Sequence, residues 1–465
     1  GLYLGFNRIQ DVSALTGLCE LRTLDLRGDP ITDYGPVQKM GIEKIVYWLE
    51  KAKPYAENEA QGKVLARLID YYKSGDLKTF DEYSILWLQD TLSQVDFVNG
   101  FTESYGDPLG MKASWEALVN YKDLAATARA EKMSENAQWF EDHAPIADEF
   151  KKEECKGVSA KVITAAILGG DLYPSTAIGI NLPNSDWVRR DYGSKSVTIA
   201  NLTSAYAEAS AGSGMNEEFV VDDATRELIK QYGHVCDDLH TDLHECLGHG
   251  SGRLLPETSP NALGEFSSTL EETRADLFGL YYLADPKLVE LGILPDMEAY
   301  KAQYSSYIRN GIFTQFTRVA LGKKNMEAHM QNRKLIADWC YEKGKAANVI
   351  EKKVRDGKTY FVVNDHEALR GLFGDLLAEI QRIKSEGDYE AGKALVETYA
   401  VNIDPELHKE VKERYAALDL RPYGGFLNPE IVPVKKGFKV VDYKIVYNDD
   451  YVDQMLEYGR KYSTL

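Results

Sequence analysis

The sequence predicts a mainly α fold with some β, an α+β protein, on three observations. Long stretches repeat their apolar residues at helical spacing, β-branched runs are few, and the 465 residues, 44 % hydrophobic and 27 % charged, have ordinary globular proportions. No Pro- or Ser-rich linker interrupts residues 41–465, so they read as one catalytic-sized body with room for lobes.

In chain order, the first element is a short repeat. Leu2, Leu4, Asn7, Ile9 and Asp11 recur 22 residues later as Leu24, Leu26, Asp29, Ile31 and Asp33. A short strand that turns its leucines inward, followed by an Asn that satisfies turning backbone, resembles a leucine-rich repeat. Residues 1–40 are therefore expected to be a leucine-rich-repeat-like segment, too short to bury a solenoid core of its own. Beyond residue 41 the pattern turns helical, as in Ile42–Leu49 and Val64–Tyr72. The clearer strand candidates are Ser196–Ala200, Lys358–Val363 and Phe438–Val446.

Charge narrows the partners. The chain has 54 Lys+Arg against 73 Asp+Glu, a formal charge of -19, and no basic block, which argues against nucleic acid and suits small cationic partners. No window offers the roughly 18 uncharged apolar residues of a membrane span, and no signal-peptide order opens the chain, so no membrane association is expected. Cys19, Cys155, Cys236, Cys246 and Cys340 are odd in number and scattered, which predicts reduced thiols and a cytoplasmic setting. A monomer is expected.

The chemistry concentrates in His244-Glu245-Cys246-Leu247-Gly248-His249. Histidines four apart on a helix are offset by about 40° and reach one ion together, with the intervening Glu beside it. Here the spacing is five, an offset of about 140°, so both imidazoles converge only if the turn is widened by one residue, as in a π-bulge, and Gly248 stands where backbone can yield. His240 and His244 form a rival pair at the regular spacing. Downstream, Ser268-x-x-Glu271 reads as a capping box, and Leu270, Leu277, Phe278 and Tyr281 share a face up to Asp285-Pro286. On another face Glu272 offers a third ligand, while Asp276, or Glu271, offers a carboxylate to orient a ligand imidazole. Alone, Glu-Glu-x-Arg-x-Asp would be an ordinary helix face with an internal ion pair.

Together, His244–His249, the following Gly250-Ser251-Gly252, and Glu271-Glu272-Thr273-Arg274-Ala275-Asp276 resemble the dipeptidyl peptidase III family of zinc exopeptidases. Thr273 and Asp276 depart from the family's usual Cys and Glu, and the shorter Asp276 predicts a reduced reach toward the imidazole. Phe101–Pro108, Gly179–Asn184 and Ala328–Gln331 resemble further family segments in the same order. The resemblance implies a helical zinc-peptidase lobe plus a reduced second lobe, because only about 100 residues precede Tyr105 where the family carries a larger N-terminal part. It also implies one zinc ion on His244, His249 and Glu272, with Glu271 and Asp276 behind the ligands. Glu245 would activate the zinc-bound water, and Tyr105 and His329 would stabilise the oxyanion. Glu103, Asn181 and Asn184 would hold the peptide's amino terminus, so that short peptides lose N-terminal dipeptides. A zinc endopeptidase and a non-catalytic peptide- or protein-binding relative are the alternatives the sequence leaves open.

Overall fold

The computed structural model describes residues 2–3, 10–13, 24–25, 35–103, 114–155, 159–172, 178–204, 212–420, 430–446 and 451–462. Two apolar cores organise it, one around a curled sheet and one among helices.

The sheet core begins with three helices, α1 (Gly35–Ala52), α2 (Glu59–Ser74) and α3 (Leu77–Gln89), the last two started by Asn58 and Asp76 side chains that accept backbone N–H groups. Five strands follow: β1 (Val95–Glu103), β2 (Ser114–Lys122), β3 (Ser159–Gly170), β4 (Gly179–Leu182) and β5 (Lys195–Ile199). Their order is β1-β2-β3-β5-β4, antiparallel except for the parallel β3–β5 pair that aligns Ile163 with Ile199. Leu68, Tyr71 and Trp87 of the helices bury themselves against Val98, Leu118, Ile163 and Ile199 of the strands. The Asn184 amide donates to Thr102 O at 3.0 Å, which ties the turn after β4 to the far end of β1.

A buried charge cluster locks this lobe. Asp96 on β1 accepts from Trp87 Nε1 at 2.9 Å and from Lys195 Nζ at 3.0 Å, while Lys161 Nζ lies 4.0 Å away. Lys195 is fully buried and its ammonium sits 3.9 Å from the centre of the Trp87 ring. Burial pushes the Lys161 ammonium down to about 8.

The helical lobe is built around α4 (Leu124–Glu135), α5 (Asp223–Leu243), α6 (Ser267–Leu283), α7 (Tyr300–Ile312), α8 (Ala328–Lys343) and α9 (His366–Glu386), with further helices packed beside them. Asp222 and Asp365 cap α5 and α9 through the Thr225 and Ala368 amides. α6 runs through the middle and buries residues on every side, among them Leu270, Ala275, Leu277, Leu280 and Leu283. Ser268 lies inside α6 rather than at its cap: a short 3₁₀ turn, Gly264–Phe266, leads directly into the helix, so the capping-box expectation fails. The hairpin β6 (Ile350–Arg355) and β7 (Lys358–Val363) turns at Asp356-Gly357, both at positive φ, 51° and 75°, the geometry a two-residue hairpin demands. A second hairpin pairs β8 (Glu430–Lys436) with β9 (Lys439–Val446).

Near the N-terminus Leu2–Tyr3 pairs in parallel with Leu24–Asp25, Leu2 against Leu24. The remaining leucine-rich-repeat positions Leu4, Asn7, Ile9, Leu26, Asp29, Ile31 and Asp33 lie outside the described residues. Among the described residues no helix is long and apolar enough to cross a membrane, and Cys155, Cys236, Cys246 and Cys340 are free thiols.

The charge cluster generates two expectations. Asp96→Asn leaves Lys195 and Lys161 buried without their carboxylate and should destabilise the sheet lobe by about 3–5 kcal/mol, read as a lower midpoint in urea unfolding. Because Lys161 titrates near 8 folded and near its ordinary 10.5 unfolded, the unfolded chain binds more protons between those values. Stability of the wild-type sheet lobe should therefore rise between pH 8 and 10.5, and that slope should shrink in Lys161→Met.

Candidate metal centre

The last turn of α5 is widened. Residues His244–Gly248 form a π-helical turn, closed by the His249 amide donating to His244 O at 3.1 Å. The extra residue restores convergence: the two imidazoles lie 4.7 Å apart, ring centre to ring centre, in an edge-to-face arrangement. Gly248 serves this turn by its size. A Cβ there would stand 2.9 Å from both Cα and O of Ala275, so the π-turn approaches α6 as closely as it does only because residue 248 has no side chain.

α6 supplies the carboxylates. Glu272 Oε2 lies 3.2 Å from His244 Nε2 and 4.0 Å from His249 Nε2, and one donor atom from each of the three residues falls within 4.8 Å of the others. Glu272 Oε2 is buried with no hydrogen-bond partner, a costly state for a carboxylate oxygen and one that a cation would relieve. The two imidazoles are oriented from behind. His244 Nδ1 donates to Asp276 Oδ1 at 2.7 Å and His249 Nδ1 donates to Glu271 Oε1 at 2.9 Å, which leaves each Nε2 lone pair facing Glu272. The shorter Asp276 thus reaches its imidazole, against the expectation drawn from its length. Two imidazoles and a carboxylate are the donor set of a catalytic zinc site, so the residues fit the ion.

Both orienting carboxylates are held in turn. Asp276 Oδ2 accepts from Tyr307 OH at 2.7 Å and from Asn332 Nδ2 at 2.9 Å. Glu271 accepts from Arg274 Nη2 at 2.8 Å, from Arg274 Nε at 3.1 Å, and from Lys384. Arg274, fully buried, also donates to Ser251 Oγ at 2.5 Å and Ser251 O at 3.1 Å, so it fixes the Gly250-Ser251-Gly252 loop to α6. The ion pair expected of an ordinary helix face exists, but inside the protein. Tyr307, Asn332 and Lys384 escaped the sequence reading; only Asn332 carried a signal, one turn beyond His329 on α8.

Charge follows from this geometry. Burial opposes ionisation of Asp276 and Glu271, yet His240 and His244 hold Asp276 far below the carboxylate range, and Arg274 and Lys384 do the same for Glu271. Burial opposes a charge at the His244 imidazole, but the Asp276 and Glu272 carboxylates outweigh it and favour a positive charge at its Nε2, a place that either a proton or a metal ion can take. Burial likewise opposes the Glu272 charge, which the His244, His249 and His329 imidazoles restore. Cys246 is buried and its thiol is pushed up by that burial, as for an inert filler. The rival His240 points elsewhere: its Nε2 lies 3.3 Å from Asp276 O and its Nδ1 3.2 Å from Gln303 Nε2.

Other candidate residues gather around this set. His329 follows the Glu327 cap of α8 and its Nδ1 stands 3.5 Å from Glu272 Oε2. Glu245 is half-buried and faces the sheet lobe: a Cβ on Gly179, the first residue of β4, would lie 2.8 Å from Glu245 Oε1. Asn181, two residues along β4, accepts from Arg189, and Asn184 is exposed in the turn beyond. Glu103 ends β1, but its side chain, like the whole of Tyr105, lies outside the described residues.

The sequence matches the model of Peptidase family M49 over residues 31–264 and 256–419. It is 29 % identical to dipeptidyl peptidase 3 of Homo sapiens over 431 residues, 83 % of this chain and 57 % of that one. The chain spans about half the length of the curated relatives it matches. DPP III from Caldithrix abyssi shares the fold with a TM-score of 0.67 at 23 % identity, covering 84 % of this chain and 72 % of that one. Dipeptidyl-peptidase III from Corallococcus sp. strain EGB does so with a TM-score of 0.64 at 20 % identity, covering 89 % and 76 %. The family match begins at residue 31, so it does not carry the leucine-rich-repeat reading of residues 1–40.

The geometry makes two expectations concrete. Gly248→Ala should force the π-turn away from α6 and lower both thermal stability and zinc affinity, read by calorimetry. Asp276→Asn should weaken zinc binding by about 10–100-fold while leaving the circular dichroism spectrum unchanged.

Proposed function

The chain belongs to peptidase family M49, and from that premise we propose that it is a zinc-dependent peptidase releasing dipeptides from the free amino termini of short peptides. The observation that carries this reading is the convergence of His244, His249 and Glu272, with one buried Glu272 oxygen lacking a hydrogen bond, in the same turn that carries Glu245. In this reading residues 41–465 are the peptidase body and residues 1–40 a repeat-like segment beside it.

His244, His249 and Glu272 would hold the ion. When bound, zinc supplies a Lewis acid for a peptide carbonyl and acidifies a water molecule. Glu245 takes the proton of the attacking water as general base and hands it to the leaving amine. Its carboxylate rests against the Gly179 backbone, which sets the base beside β4. Among the described residues β4 pairs only with β5 and so forms one end of the sheet, which leaves its outer backbone edge to an extended peptide running past Glu245. His329 and Tyr105 donate to the developing oxyanion. Glu103, with Asn181 and Asn184, binds the charged α-amino group and so sets how many residues precede the scissile bond.

Zinc analysis of the purified chain coupled to an assay of dipeptide release tests the reading. One zinc per chain and release of N-terminal dipeptides are expected. Longer products would favour an endopeptidase, and zinc without hydrolysis a non-catalytic relative. Glu245→Gln should keep zinc and lose at least ~10²-fold in kcat, whereas His244→Ala should lose both metal and activity. Gly179→Ala, which displaces the Glu245 carboxylate, should cost about 10²-fold in kcat with zinc content unchanged. Glu103→Ala should impair cleavage of peptides with a free amino terminus, and an equal loss on N-acetylated peptides would remove that role.

A further inference from the structure

The two imidazoles of the candidate centre rest on carboxylates that keep different company. Behind His244, Asp276 Oδ2 accepts from Tyr307 OH at 2.7 Å and from Asn332 Nδ2 at 2.9 Å, both neutral donors. His240 beside it accepts from Gln303 Nε2 on one ring nitrogen and donates to the Asp276 carbonyl with the other, the pattern of a neutral imidazole. Among the described residues no Lys or Arg forms an ion pair with Asp276, and Arg333 acts on it only from beyond hydrogen-bond reach. Behind His249, Glu271 is met by cations. Arg274 donates to both of its oxygens, and Lys384 on α9 donates to Oε2. Lys152 Nζ, on the Gly250 carbonyl at 2.5 Å, adds positive charge to the same side, and the Glu141 carboxylate at the Gly252 amide offsets it. Arg274 balances Glu271 and Glu141 balances Lys152, so the Lys384 ammonium is in excess.

We infer that Lys384 is a positioning residue of the metal centre that acts through Glu271, drawing charge away from His249 and so holding down the affinity of the site for zinc. An imidazole whose Nδ1–H bonds to a carboxylate gains basicity at Nε2 in proportion to the charge that carboxylate can lend. Asp276 lends its charge to His244 alone among strong claimants, whereas Glu271 divides its charge between His249 and two cations. His249 is therefore the weaker donor of the pair, and an ion held this way keeps more of its own charge for polarising a carbonyl. The inference rests on the zinc reading of the centre. A purely structural role for Lys384 has the opposite sign: if it only held Glu271 in place, its loss would loosen His249 and weaken zinc binding.

Zinc affinity of the full chain, measured by competition with a chromogenic chelator, tests this. Lys384→Gln keeps a donor for Glu271 but removes the charge, and should bind zinc at least ~5-fold tighter than the wild type. Lys384→Met should change affinity in the same direction, and Lys384→Arg, which restores the charge, should match the wild type. In a Glu271→Gln background the Lys384→Gln substitution should alter affinity by less than ~2-fold, because the carboxylate that carries the effect is gone. Circular dichroism confirms that each variant is folded, and Lys384→Gln decides the matter should Lys384→Met fail to fold. Unchanged or weaker zinc binding by Lys384→Gln, or an equal gain in the Glu271→Gln background, would overturn the inference while leaving the zinc reading in place. A wild-type chain that takes up no zinc would overturn both.

Discussion

Two imidazole–carboxylate hydrogen bonds, His244 to Asp276 and His249 to Glu271, join the last turn of α5 to α6, and the candidate centre is a consequence of them. They can form together only because the chain between the histidines takes a π-turn and because Gly248 lets that turn touch Ala275. Each bond fixes one tautomer, and each tautomer aims a lone pair at Glu272. Without either constraint, the imidazoles would be offset by about 140° and share no ion.

Carboxylates buried this deeply need cations or donors of their own, and the helical lobe is arranged to supply them. Arg274 and Lys384 face Glu271, while Tyr307 and Asn332 donate to Asp276. These groups come from α6 itself, α7, α8 and α9, so four helices fix the position of two histidines. The Glu272 oxygen is the exception. It is buried among imidazoles with no hydrogen bond, a costly state that a cation at that oxygen would relieve.

The local chemistry was legible in the sequence wherever it was written in spacing. The five-residue separation of His244 and His249 dictated a widened turn, and a widened turn is present. Glu272 and Asp276 one turn apart announced a shared helix face. Helices with regular apolar spacing, such as α1 and α2, were equally plain. Much of the sheet was not. β3, Ser159-Ala-Lys-Val-Ile-Thr-Ala-Ala-Ile-Leu-Gly-Gly, buries both faces over much of its length and is rich in Ala, so it carries no alternation by which to tell a strand from a helix. Ser268 misled because a capping box depends on where the chain enters the helix, and a preceding 3₁₀ turn moves that point. Tyr307 and Lys384 belong to helices far along the chain, and only tertiary packing brings them to the site. Gly248 signals backbone freedom in the sequence, whereas in the fold it matters through its close approach to Ala275.

α6 has no solvent face to spare. One side of it carries Glu271, Glu272 and Asp276, and the remainder is packed by Leu270, Leu277, Leu280 and Leu283. Scaffold and reactive centre therefore share a single rod, and sequence drift along it is squeezed from both directions: a change tolerated by packing disturbs the donors, and one that retunes the donors strains the packing. Variation that spares both has to fall on elements other than α6, where a residue can change without touching either.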